Sequence, residues 1–268
     1  MIPGYYIIFY WFFLIDFDLR NPYSKSSIRH FLKGGPPVKK LYVLFLLALP
    51  FLLAFTKVPE EKGPGVKPTH HLLYQGHGSL RIVTSDKKVI YIDPYAGEGY
   101  DLPADLILVS HGHKDHNQVE LIENRNEDCK MIYNTDALVN GEYKLFDLGY
   151  AIVEPVQAGN NKNHDINVCV GWVITFPDGV SVYATGDTSR TEQMDQLAEK
   201  DIHYAFFVCD GRFDMDLEEA SACATAVNAR HSIPYHMAPG ELFNREKAEQ
   251  FTGPGRMILE AGEEIPLY

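Results

Sequence analysis

A short apolar run, Leu106-Ile107-Leu108-Val109, stops abruptly at Ser110-His111-Gly112-His113-Lys114-Asp115-His116. An unbroken apolar tetrad between polar residues reads as a strand buried on both faces, which obliges the chain to cover a sheet from two sides. The loop after it carries four metal-competent side chains within six residues. Two imidazoles two residues apart on an irregular loop can grip one ion, while the next carboxylate and imidazole point to a neighbouring one. Nitrogen and oxygen donors without sulfur suit zinc, manganese or iron. The competing reading, a polar surface loop with chance histidines, fits a lone histidine better than this spacing. The four cysteines, Cys129, Cys169, Cys209 and Cys223, form no CxxC pair, which argues against a disulfide scaffold and a thiolate zinc site. They read as small buried hydrophobes.

Around this motif the pattern predicts strands at 71–75, 79–84 and 89–92, with turns at Gly76 and Asp86, then 106–109, 131–133 and one or two strands within 143–156. Residues 170–176 and 180–184 read as a hairpin closed by Pro177-Asp178-Gly179. From there helices at 191–200, 217–229 and 245–251 alternate with strands at 204–209 and 233–235. Asp216 and Glu219 form a capping-box pair, and Leu217, Ala220, Ala224 and Val227 line one face of the middle helix. The result is an α/β chain in two halves, with two sheets covered by helices on the outside and no internal sequence repeat. At 268 residues and 46% hydrophobic it can bury a sizeable core, which excludes a disordered chain. A net charge of −12 argues against a broad nucleic-acid-binding face.

Residues 1–56 differ from the rest. Two apolar runs, 1–15 and 41–55, flank a stretch holding Arg20, Lys25, Arg29, Lys33, Lys39 and Lys40. Neither run reaches the ~20 residues of a spanning helix. Lys39-Lys40 ahead of the second run and the polar residues after it give the order of a secretory signal peptide. Lys33-Gly34-Gly35 can be read as a translated ribosome-binding site, which puts the expected start at Val38 through a GTG codon. The expected division is therefore a mis-assigned extension at 1–37, a signal peptide or membrane anchor at 38–56, a linker at 57–69 and a single folded domain at 70–268. The expected location is exported, periplasmic or extracytoplasmic, with membrane attachment through the N-terminal segment as the alternative.

The HGHKDH segment resembles the HxHxDH signature of the metallo-β-lactamase superfamily. In chain order, Gly76-His77, Ile92-Asp93-Pro94, Ala184-Thr185-Gly186-Asp187-Thr188, Arg212-Phe213-Asp214-Met215 and Ile233-Pro234-Tyr235-His236 extend the likeness over residues 70–268. The arrangement is most similar to the branch of ascorbate-6-phosphate-lactonase-like and related metal-dependent hydrolases. The resemblance implies a four-layer αβ/βα sandwich with two divalent ions between its edges, zinc foremost and manganese or iron as alternatives. It assigns His111 and His113 to the first ion, Asp115 and His116 to the second, and Asp187 to both. His111 and Asp187 each follow the C-terminal end of a predicted strand, the edge where α/β sites gather. His236 sits at such an end and is assigned to the second ion. His231, at the start of that strand, reads as structural. Asp93 reads as an acceptor orienting a ligating imidazole. Many relatives place the remaining first-ion histidine where this chain has Asn160. His164, four residues later, is taken as the ligand, with Asn160 contacting substrate or water. The competing reading is an exposed His164 and a depleted first site.

The implied activity is attack of a metal-bound hydroxide on an ester, lactone or phosphodiester of a small-molecule substrate. Shared between two cations, a water's pKa falls from about 15.7 to roughly 7. Asp115 and Asp187 are the carboxylates of that chemistry. His77 either faces the site or is a buried, hydrogen-bonded ring. Asn134, Arg212 and Phe213 follow predicted strands on the same edge; Arg212 either holds an anionic substrate group or pairs with Asp210, Asp214 or Asp216. His70, His71 and His203 read as structural or solvent-facing, and the aromatic residues of 143–150 as core. Two other classes use the same ligands: a di-iron oxidoreductase, which usually needs a flavin domain for which 268 residues leave no room, and a catalytically silent metal-binding protein. β-Lactam hydrolysis is disfavoured, because in that branch the Asp187 position is typically Cys or Ser. No nucleic-acid partner is expected.

Overall fold

The computed structural model describes residues 70–268; the readings made for 1–37, 38–56 and 57–69 lie outside it. Alternation of apolar residues builds two six-stranded sheets that pack face to face. Sheet I contains β1 (His70–Gly76), β2 (Ser79–Val83), β3 (Val89–Ile92), β4 (Ala104–Val109), β5 (Arg125–Tyr133) and β14 (Glu263–Leu267), ordered β14-β1-β2-β3-β4-β5. Sheet II contains β8 (Phe146–Asp147), β9 (Ile152–Gln157), β10 (Val170–Thr175), β11 (Ser181–Ala184), β12 (Tyr204–Val208) and β13 (His231–Tyr235), ordered β8-β9-β10-β11-β12-β13. A small hairpin joins β6 (Leu138–Val139) to β7 (Glu142–Tyr143).

Read from the first strand in each order, both sheets show the same senses: three antiparallel pairings followed by two parallel ones. The halves thus repeat in topology although their sequences show no repeat. Topology needs only matching apolar periods and turns, and it places no demand on residue identity. In each half the fourth and fifth strands of that order are parallel, so their C-terminal ends meet at one edge, where Asp93 and Ser110 follow in one half and Thr185 and Cys209 in the other.

Even-numbered residues of sheet I (Leu80, Ile82, Ile90, Ile92, Leu106, Leu108) join Trp172, Ile174, Val182 and Phe206 of sheet II in one buried cluster. Each fully buried aliphatic or aromatic side chain contributes roughly 1.5–3 kcal/mol relative to exposure. The odd-numbered face of sheet I buries Val89, Tyr91, Ile107 and Val109 in a second cluster under Tyr100, Leu102, Val119 and Ile122. That outer layer is loop and a short 3₁₀ turn (Val119–Leu121), with α1 (Asn134–Ala137) at its end. Sheet II carries the heavier cover: α2 (Leu217–Val227), α3 (Arg245–Gln250) and a 3₁₀ helix at Glu192–Lys200. The αβ/βα sandwich is therefore present, with thinner helical cover on sheet I. Among the described residues no helix is long and apolar enough to cross a membrane.

Several elements differ from the sequence pattern. The predicted 191–200 helix is 3₁₀, pinned at its start by Gln193, whose side-chain oxygen accepts the Gln157 amide and whose own amide bonds the Gln157 side chain. The helix predicted to 229 stops at Val227 because Asn228 turns left-handed at φ 52°. β5 begins at Arg125 and β14 exists at all, yet both are edge strands with little apolar alternation to betray them. Residues 143–156 hold parts of three strands, and Tyr143, Phe146 and Tyr150 pack partly buried against the core, as a core stripe should.

Asp105 ties β3 to β4: Oδ2 accepts the buried Val89 amide at 2.9 Å and Oδ1 accepts Lys88 Nζ at 2.9 Å. Burial works against its ionisation, but these donors hold the carboxyl below its ordinary range. A depressed folded-state pKa stabilises above the unfolded value and is lost as pH falls through the folded one. Asp105→Asn should therefore lower unfolding free energy at pH 7 by about 1–3 kcal/mol, measured by urea denaturation. The difference from wild type should shrink as pH drops below the carboxylate range.

Candidate metal centre

Residues at the C-terminal edges of both sheets, at the β1–β2 turn and on the β9–β10 loop converge on Asp187. Asp187 follows β11 through Gly186, whose φ of 61° turns the chain and whose Cα leaves only 2.9 Å between an added Cβ and the Val170 carbonyl oxygen. Asp93 after β3, His236 after β13 and His77 after β1 also sit at positive φ, 47°, 45° and 54°. Left-handed backbone is costly for residues with a side chain and tends to collect at functional sites. Here it bends three strand ends toward one point.

Asp187 lies buried between four imidazoles. Its Oδ2 faces His111 Nε2 at 3.7 Å and His164 Nε2 at 3.3 Å, and its Oδ1 faces His116 Nε2 at 3.1 Å and His236 Nε2 at 3.4 Å. Donor atoms of His111, His113, His164 and Asp187 lie within 4.8 Å of one another, as do those of His77, Asp115, His116 and His236. The structure thus brings together every residue that the sequence assigned to either ion, and His77 joins the second group.

The other ring nitrogens explain why these contacts need a cation. His116 Nδ1 lies 2.9 Å from Asp93 Oδ2, so its proton is given there. Ser110 Oγ donates its only proton to Asp93 Oδ2 at 2.6 Å and therefore accepts from His111 Nδ1 at 3.0 Å. His164 Nδ1 lies 3.0 Å from Asp214 Oδ1, and His77 Nδ1 lies 3.0 Å from the Glu241 carbonyl oxygen. When neutral, His111, His116 and His164 each turn a lone pair toward Asp187, while His77 Nε2 lies at hydrogen-bond distance, 3.3 Å, from Asp115 Oδ2. His111 Nε2, His116 Nε2, His236 Nε2 and Asp187 Oδ1 are buried without a hydrogen-bond partner. Acceptors facing acceptors in a buried place cost several kcal/mol unless positive charge lies between them. The residues present fit a pair of divalent ions.

Electrostatics divide the rings into two kinds. Burial, helped by the neighbouring His116, pushes His111 down to about 2, and burial brings His236 to about 4, so both rings are neutral at pH 7. Against the cost of burial, Asp187 and Asp93 push His116 up and Asp214 pushes His164 up. The same histidines hold Asp187 far below its ordinary range despite complete burial. Asp115 is likewise held down, by His77. Burial raises Asp214 to about 7.

The remaining sequence candidates fall elsewhere. Asn160 is exposed and left-handed, with its side-chain amide on the Arg190 carbonyl oxygen at 2.6 Å. Asn134 donates to the Val168 carbonyl oxygen at 2.9 Å. The Arg212 guanidinium lies over the Phe213 ring at 4.8 Å, outside the cavity lining. Asp210, expected as its partner, instead accepts the backbone amides of Arg212, Phe213 and Asp214. His231 stacks on Tyr204 at the far end of β13, and His70 on Phe176. The cavity over the centre, about 330 Å³, is lined by His113, Asp115, Asn163, His164, Asp187, Phe213, His236 and Pro239. Sequence reasoning missed Asp214 as a partner of His164. It also missed Lys247, whose Nζ reaches the Asp210 and Met237 carbonyl oxygens at 2.6 and 2.7 Å and clips the two loops together. Neither carries a local motif that would have singled it out.

Known proteins bear the same imprint. A sequence profile described as "Beta-lactamase superfamily domain" matches residues 71–236. A protein of Bacillus thuringiensis (strain Al Hakam) named a metal-dependent hydrolase is 28% identical over 228 residues, which cover 72% of this chain and 98% of that one. Among solved structures, a Parabacteroides distasonis protein assigned as a metal-dependent hydrolase superposes with a TM-score of 0.58 at 27% identity, covering 70% of this chain and 91% of its own. The di-iron β-hydroxylase CmlA of Streptomyces venezuelae shares the fold with a TM-score of 0.56 at 14% identity, covering 75% of this chain and 55% of its own.

Asp93 holds Ser110 through both its amide (2.7 Å) and hydroxyl, and His116 through Nδ1. Asp93→Asn is expected to weaken metal binding by about 10–100-fold, measured by competition with a chromophoric chelator.

Proposed function

The chain belongs to the beta-lactamase superfamily, and from that premise we propose that this metal-dependent hydrolase cleaves small, uncharged esters or lactones. The observation that carries the reading is Asp187, buried between four imidazoles, three of which (His111, His116 and His164) have an acceptor facing their other ring nitrogen. When bound, two divalent ions supply Lewis acidity toward a carbonyl oxygen and lower the pKa of a water to roughly 7. His111, His113 and His164 would hold one ion, Asp115, His116 and His236 the other, and the two oxygens of Asp187 would serve both.

The rest of the chemistry belongs to side chains of the cavity. Asp115 is partly exposed there and stays ionised beside His77, so it can accept a hydrogen bond from a water and fix its orientation. Phe213 and Pro239 give the rim an apolar surface, and Asn163 donates to the Phe213 carbonyl oxygen at 3.0 Å to fix it. A volume of about 330 Å³ is at the low end for small-molecule sites. The lining carries no lysine or arginine, and Arg212 stays outside it, which favours a neutral acyl substrate over a phosphodiester. The basic, apolar and polar order over 39–61 supports export through a signal sequence.

Full-length protein loaded with zinc or manganese is expected to turn over members of an ester and lactone series, and chelation to abolish that turnover. Asp187→Asn should reduce kcat/KM by at least about 100-fold, since even a group that only orients a ligand is worth 10–100-fold. Turnover of phosphodiesters alone would overturn the substrate class. Two bound ions without any hydrolysis would overturn the reading as a whole.

A further inference from the structure

His164 reaches the centre from an unusual place. The position that resembles the family's histidine holds Asn160, which is turned away and bonded to Arg190. The loop then folds on itself: Asn161 Oδ1 accepts the amides of Asn163 and His164 at 2.9 Å each, and the Asn161 amide bonds the His164 carbonyl oxygen at 3.2 Å. This sets the backbone of His164 but leaves its ring free to rotate about two side-chain torsions. A ring carried on a loop needs a second hold before its nitrogen can be aimed within the tolerance of a metal site.

Asp214 supplies that hold. It arrives from the opposite side, on the loop after β12, with a wholly buried side chain 3.0 Å from His164 Nδ1. Neither Asp214 oxygen nor His164 Nδ1 has a hydrogen-bond partner, so this ion-pair contact is what each of them has. The Asp214 loop is itself fixed by Asp210 Oδ1 on the Asp214 amide (2.9 Å) and by the Met215 amide on the Thr188 carbonyl oxygen (3.2 Å), one residue beyond Asp187. Its carboxylate also lies within 4.8 Å of donors on Asp187 and His236. A second buried acid so close to Asp187 is repulsive on its own. With Asp93, Asp115 and Asp187 it makes four carboxylates around the centre, which balance the four positive charges of two divalent ions. The imidazoles add no charge when neutral.

Resting on the dinuclear reading above, we propose that Asp214 is a positioning residue of the first metal site, whose carboxylate faces His164 Nδ1 and so aims Nε2 at the ion. The His164–Asp214 pair replaces the histidine arm that Asn160 does not provide.

Metal-free full-length protein titrated with Mn(II) tests this, with bound metal counted by elemental analysis and ion–ion coupling read by electron paramagnetic resonance. Wild type should bind two ions that couple magnetically. Asp214→Asn should keep one ion at wild-type affinity and bind the other about 10–100-fold more weakly, giving the signal of an isolated ion at one equivalent. In a His164→Ala background Asp214→Asn should cost nothing further, because both changes act on one arm. Circular dichroism of the metal-free variants checks folding, and Asp214→Glu, which keeps the charge but shifts the oxygen by one methylene, is expected to show a smaller loss at the same single site. Two ions at wild-type affinity in Asp214→Asn, an equal loss at both sites, or additive losses with His164→Ala would overturn the proposal while leaving the dinuclear reading intact. A wild type that binds fewer than two ions would overturn both.

Discussion

Asp187 sits among four imidazoles, three of which aim at its oxygens a nitrogen whose counterpart across the ring faces another acceptor. Its two oxygens meet imidazole nitrogens whose protons are committed to Asp93, Ser110 or Asp214, so the contacts of 3.1 to 3.7 Å are repulsive until positive charge enters. That arrangement explains why so many backbone irregularities gather around it. The left-handed residues Asp93, His236 and His77, and the close passage of Gly78 beneath the His116 ring, where an added Cβ would lie 2.8 Å from Cε1, all serve to bring donors to this point. Strain of this kind persists only where the surrounding sheets over-determine it.

The two sheets do so by repeating one topology. Parallel fourth and fifth strands in each half end at the same edge, and the halves face each other across an apolar core, so loops of different origin meet without long excursions. Sheet I contributes Asp93 and the histidine-rich loop after β4. Sheet II contributes Asp187, His164, Asp214 and His236. The covering layers differ between the halves because only sheet II has crossovers long enough to carry a full helix. The shared fold of a hydrolase and a di-iron hydroxylase shows that the scaffold alone does not choose the reaction. The cavity over the centre adds its own lining, an apolar rim of Phe213 and Pro239 without lysine or arginine.

Much of this was legible in the residues. The strands around 106–109 and 204–209 were visible because burial on both faces leaves an unbroken apolar run, and the 170–184 hairpin because its turn needs Asp178 and Gly179. The cluster at 111–116 was visible because its ligands are contiguous. What was not legible depended on distance along the chain. Asp214 lies 50 residues from His164, and nothing in Arg212-Phe213-Asp214-Met215 shows which side chain enters the core. β14 pairs with β1 although its sequence, Glu-Glu-Ile-Pro-Leu, is short, opens on two charges and holds a proline, so it shows no strand alternation; an edge strand needs backbone partners more than apolar ones. The repeat itself was hidden, since the halves share hydrogen-bonding order and not residues.

That last pairing links His70 to Leu267, nearly the whole described length, in antiparallel register. The outer edge of β1 therefore stays unpaired until the strand at 263–267 docks on it, so the first strand of sheet I is completed by one of the most distant segments of the described chain. Contacts of such long separation form late and slowly.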